Sequence, residues 1–165
     1  GTLRVRLLDQ EGATTLNTLH IDVSVAQGQS RLVGNADAFG MFFSRNPLFA
    51  ELFDDEGVIM ADSLEYTCPD RHSWFPEAKI NMDVQDNEIV LTSDKIARWV
   101  ELRGDADGER FGWDFEDNFF DLVPGREKRV HLLGRHHEGI ITAKSSYSPH
   151  LASLDTREVF VEKAL

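Results

Sequence analysis

The sequence predicts an all-β protein, folded as two antiparallel β-sandwiches in tandem. Three observations carry this reading. Apolar and polar residues alternate in short runs, most clearly in Leu19-His20-Ile21-Asp22-Val23-Ser24-Val25, where four apolar side chains face one way and three polar ones the other. Clusters of Gly, Asp, Asn and Gln separate these runs as tight turns separate short strands. No segment carries a convincing amphipathic helical period, which leaves sheet packed on sheet as the way to bury the apolar faces.

In chain order, Leu3-Val5-Leu7 begins the first strand and Gln10-Glu11-Gly12 turns it. Leu19 to Val25 follows, closed by Ala26-Gln27-Gly28. The stretch LFAELFDDEG at 48–57 echoes LRVRLLDQEG at 3–12, and the simpler account is two hairpins using one turn chemistry. Cys68-Pro69-Asp70-Arg71-His72-Ser73-Trp74-Phe75-Pro76 breaks the alternation twice with proline, which predicts a linker. It divides the chain into domains 1–73 and 74–165. Eleven acids stand against five bases before residue 74, and eighteen against twelve after it, so neither half is a charged tail. Ile80-Met82-Val84 and Ile89-Leu91 predict a hairpin across Gln85-Asp86-Asn87. Ser93-Asp94 suits a helix cap before Lys95 to Val100, yet Trp99-Val100-Glu101-Leu102 suits a strand, and both readings stay open. Turns follow at Asp105 to Gly108 and at Pro124-Gly125, where proline presets φ at i+1 and glycine supplies the positive φ of a type II turn. Val130-Leu132 resumes the period of two.

Composition excludes several classes. The net charge of −12 argues against nucleic acid, whose phosphates need clustered Lys and Arg. No apolar run approaches the roughly 20 residues of a membrane-spanning helix. Gly1 is not an initiator methionine and no leader follows it, so the expectation is a chain cut from a longer one at residue 1. A cytoplasmic and a secreted address both fit. The lone Cys68 excludes an internal disulfide and is expected to fill a core site.

Candidate chemistry centres on FEDNFFDLVPG at 115–125. A glycosidase needs two carboxyls across one bond, about 5–5.5 Å apart when retaining and roughly 6.5–9.5 Å when inverting. On a strand Glu116 and Asp121 face opposite ways about 17 Å apart, and Asp117 and Asp121 share a face about 13 Å apart. Asp114 and Glu116 stand side by side at about 7 Å. The acids therefore read as structural, and no catalytic residue is assigned. Asp105, Asp107, Glu109 and Glu116 imitate a calcium loop, but its sixth position is Arg110 and the glycine falls at Gly108. His136 and His137 would point to opposite faces of a strand, so with His131 and Glu138 they form no metal set. No metal and no cofactor is expected. For sugar stacking Trp74, Trp99 and Trp113 are available, with Trp113 the substrate-binding candidate, against the commoner role of tryptophan in packing.

The segment LTSDKIARWVEL and then FEDNFFDLVPGREKRV resembles the carboxy-terminal immunoglobulin-like domain of β-mannosidases of glycoside hydrolase family 2. The matching positions are Leu91 to Lys95, Phe115, Asp117, Asn118, Asp121, Leu122, Pro124 and Gly125. Residues 1–67 are generically similar to the immunoglobulin-like domain that precedes it. The resemblance implies two tandem immunoglobulin-like sandwiches, the first truncated with an unpaired sheet edge. It implies a non-catalytic region supporting a catalytic barrel in the same polypeptide, whose two glutamates would hydrolyse terminal β-mannosides with retention. A homodimer contact and a glycan contact are further partners it allows. Asn87-Glu88 repeats the family's acid/base dipeptide but falls where a hairpin turn is expected, so the role is not carried over to Glu88. A carbohydrate-binding module and an adhesion-type interaction module remain as alternatives.

Overall fold

The computed structural model describes residues 1–35, 45–105, 114–133 and 139–156. The chain separates into two compact units, Gly1–Trp74 and Phe75–Leu165, and its regular structure is almost entirely antiparallel sheet. No helix among the described residues is long and apolar enough to cross a membrane.

The first unit holds β1 (Thr2–Leu8), β2 (Thr15–Asp22), β3 (Leu48–Phe53) and β4 (Ile59–Glu65), in the order β2-β1-β3-β4. The strand that opens the chain is internal, with β2 and β3 flanking it on both sides. β2 ends at Asp22, short of the predicted Val25, although the Val23 N–H still bonds the Gly1 carbonyl at 2.9 Å. The echoed turns are alike in detail. Asp9 and Asp54 each accept a glycine N–H on the backbone carbonyl (Gly12 and Gly57), and each accepts the next N–H on Oδ1 (Ala13 at 2.9 Å, Val58 at 2.8 Å). Partial burial would raise the Asp9 carboxyl, but bonds from Thr14, Ala13 and Gly12 outweigh it and hold Asp9 below its usual value.

Across β1 and β3, Arg4 stands directly opposite Glu51. The Glu51 side chain is fully buried, and a buried carboxylate requires charged partners. Arg4 Nη2 reaches its Oε2 at 2.9 Å and Arg6 Nε at 3.2 Å, while the two guanidinium groups lie over Phe53 and Phe49. Residues 66–79 contain no strand, only a 3-10 turn at Asp70–His72. There Cys68 is half-buried, with Sγ 3.1 Å from the Ser73 hydroxyl, so it belongs to this irregular stretch and not to a core.

The second unit is a sandwich. One sheet joins β5 (Ile80–Gln85), β6 (Glu88–Ser93), β10 (Lys128–Leu133) and β8 (Asp114–Phe115), in the order β5-β6-β10-β8. The other joins β7 (Ala97–Asp105), β9 (Phe120–Leu122), β11 (Ile140–Ser145) and β12 (Leu151–Asp155), in the order β12-β11-β7-β9. Alternate residues of both sheets meet in one core: Ile80, Ile89, Leu91 and Val130 from the first, Val100, Leu102, Leu122 and Ile141 from the second. The open stretch at 93–102 is strand from Ala97 onward, with Asp94 tied to Lys79 N–H at 2.7 Å.

Candidate functional site

The run that carried the resemblance wraps the edge of β7. Asn118 behaves as a strand residue through its side chain: Oδ1 accepts the Leu102 N–H at 2.8 Å and Nδ2 donates to the Leu102 carbonyl at 3.0 Å. Asp117 pairs with Lys128 and accepts the Asn118 N–H at 2.9 Å. Phe120 and Leu122 point into the core, whereas Phe119, at φ 59°, is 60% exposed. Gly125 takes φ 75° with Arg126 N–H bonded to the Val123 carbonyl, the turn that Pro124-Gly125 predicts.

Asp121 governs the site of greatest interest. Between Ala97 and Val100 the ladder to β9 slips: Ala97 faces Leu122 and Val100 faces Phe120, so β7 carries one residue more than its partner. This is a β-bulge. It turns two consecutive side chains, Arg98 and Trp99, away from the core, while Ala97 and Val100 on either side are fully buried. Trp99 sits at φ 49°, in the left-handed region that side chains rarely adopt. Three side chains hold the backbone of the bulge. Asp121 Oδ1 accepts the Trp99 N–H at 2.8 Å, the Ser145 hydroxyl donates to the Arg98 carbonyl at 2.8 Å, and the Ser146 hydroxyl donates to the Trp99 carbonyl at 3.2 Å.

The bulge assembles an aromatic platform. Phe75 stacks on Tyr147 with centroids 4.0 Å apart, and Trp99 leans on Tyr147 at 5.7 Å. The Arg98 guanidinium lies over Trp99 at 4.9 Å and over Phe75 at 5.6 Å, with Nη1 3.8 Å from Asp121 Oδ2. Trp99 keeps 38% and Tyr147 37% of its surface exposed. Of the candidate tryptophans, Trp74 is exposed in the first unit and Trp113 lies outside the described residues. Phe75 and Tyr147 escaped sequence reading, since nothing in their spacing links them to Trp99.

The other candidates are placed as follows. Glu88 is the first residue of β6, beside the Asp86-Asn87 turn, with Oε2 3.1 Å from Arg129 Nη1 and Oε1 3.2 Å from His131 Nε2. Glu116 also approaches His131, at 3.9 Å. Asp114 lies on the short edge strand β8, exposed. Asp105 ends β7, while Asp107, Gly108, Glu109, Arg110, His136, His137 and Glu138 lie outside the described residues. Among the described residues no group of three or more His, Cys, Asp or Glu is arranged to hold a metal ion.

Residues 75–147 match the family model Ig_mannosidase, described as an Ig-fold domain. The second unit is an Ig-fold domain. Solved structures extend the likeness of fold to nearly the whole chain. Two complexes of variants of Amycolatopsis orientalis exo-chitosanase CsxA with PNP-beta-D-glucosamine align at TM-score 0.51 and 11% identity. A further crystal structure of CsxA aligns at 0.50 and 12%. In each, 93% of this chain is covered but only 23% of the other, so the chain spans about a quarter of the length of those structures. A search of curated protein sequences returns no match.

Proposed function

We propose that the chain is the non-catalytic carboxy-terminal accessory region of a β-mannosidase-like glycoside hydrolase, with both units immunoglobulin-like. Its role is to buttress the catalytic barrel of the same polypeptide and to shape the outer face of the enzyme, including a dimer contact. The observation that carries this is the match of the Ig-fold domain at 75–147 to the family model Ig_mannosidase, with its motif acids Asp117 and Asp121 holding backbone and side chains in place. The parent enzyme would hydrolyse terminal β-mannosides. The exo-chitosanase neighbours make β-glucosaminides the competing substrate to exclude.

The full polypeptide decides the reading. Aryl β-mannoside should be hydrolysed in preference to aryl β-glucosaminide, and deleting residues 75–165 should lower the melting temperature of the remainder. A preference for the glucosaminide overturns the mannosidase assignment. An unchanged melting temperature and rate after the deletion overturns the buttressing role.

A further inference from the structure

The platform and a neighbouring groove share one surface of the second unit. Trp99, Glu101 and Arg103 follow one another on the outward side of β7. Opposite them on β11, Lys144 pairs with Glu101 and Thr142 with Arg103. With Ser146 and Leu151 these polar side chains line an open groove of about 410 Å³, within the size range of small-ligand sites. Ser146 joins the two parts, because it lines the groove while its hydroxyl holds the Trp99 carbonyl.

We propose that this surface binds a neutral hexose oligosaccharide, with one ring stacked on Trp99 and the next lying in the groove. A tryptophan that only filled space would be buried, where its large apolar area is worth most. Here it is held outward by a bulge in a left-handed conformation, and bulges and such strain concentrate where a side chain is re-aimed for use. The part of Trp99 left open beside the Arg98 guanidinium and Tyr147 offers an apolar surface to the C–H face of a pyranose ring. Beside it the groove supplies what hydroxyls need: the Glu101 carboxylate accepts, Arg103 and Lys144 donate, and Thr142 and Ser146 do both. Charge narrows the choice. Arg103 Nη2 lies 2.8 Å from Glu101 Oε2 and offsets its charge, and Lys144 adds a further cation, so a cationic amino-sugar chain meets local repulsion in the groove. An uncharged chain meets none.

The inference takes its biological sense from the accessory-region reading, but it is tested by binding alone, which the deletion experiment does not measure. The 165-residue chain is titrated with β-1,4-mannohexaose and, separately, with the glucosamine hexamer, following tryptophan fluorescence and heat. Saturable binding of mannohexaose with a change in tryptophan emission is expected. Trp99→Ala and the exposed-wall variant Lys144→Ala should each weaken it, the first by about tenfold, with the melting temperature of Lys144→Ala unchanged. Absence of saturable binding overturns the proposal, as does binding that neither variant alters or tighter binding of the glucosamine hexamer. Binding seen in the 165-residue chain but lost in the full polypeptide also overturns it, because the face would then be covered by another domain.

Discussion

At Trp99, φ of 49° costs an L-residue of order 1 kcal/mol relative to glycine, and the backbone hydrogen bonds from Asp121, Ser145 and Ser146 hold it there. Removing the side chain in two ways separates strain from contact. Trp99→Gly should be more stable than Trp99→Ala by about 1 kcal/mol, because both lose the indole but only glycine relaxes into the left-handed region. Urea midpoints of the two variants measure the difference, and equal midpoints would mean that the bulge is unstrained. This residue was only half legible in the sequence. Two outward side chains between Ala97 and Val100 give an apolar spacing of three, which is also the spacing of a helix face, so the bulge read as an ambiguity between helix and strand.

The short strand β9 shows how far one element can be read ahead. Phe119 just before it and Phe120, its first residue, are chemically identical, yet Phe119 is 60% exposed and Phe120 only 9%. Phe120→Ala should cost about 3–5 kcal/mol and Phe119→Ala well under 1 kcal/mol, both measured by chemical unfolding. The reverse order would require the strand to be rotated by one residue. The motif foretold the Pro124-Gly125 turn, because turn chemistry is local. It did not foretell that Asn118 and Asp121 serve β7. Those bonds join Asn118 to Leu102 and Asp121 to Trp99, partners set by sheet order and not by sequence distance.

For the whole molecule, the all-β architecture followed from alternation and punctuation, properties that survive without any knowledge of partners. The aromatic platform did not, because Phe75, Trp99 and Tyr147 come together only when the end of β7, the turn after β11 and the entry to the second unit converge. The same assembly bears on chemistry. Asp117 and Asp121 of the motif are engaged in holding the backbone in place, so the 165-residue chain by itself should not release nitrophenol from aryl β-mannosides or β-glucosides between roughly pH 4 and 8. A single positioned acid contributes only about 10²–10⁴-fold, far short of glycosidase acceleration. Turnover by the purified chain that vanishes in Asp121→Asn would overturn the structural role given to that acid.

The slip in pairing between β7 and β9 has a genetic consequence. Ala97 opposite Leu122 and Val100 opposite Phe120 differ from a regular ladder by a single codon. Deleting Trp99 would bring the two strands into uniform step without moving any inward side chain to the wrong face, since the parity of the strand already changes at that point. The fold can therefore lose or regain its exposed aromatic by one in-frame event, leaving the sandwich beneath it intact.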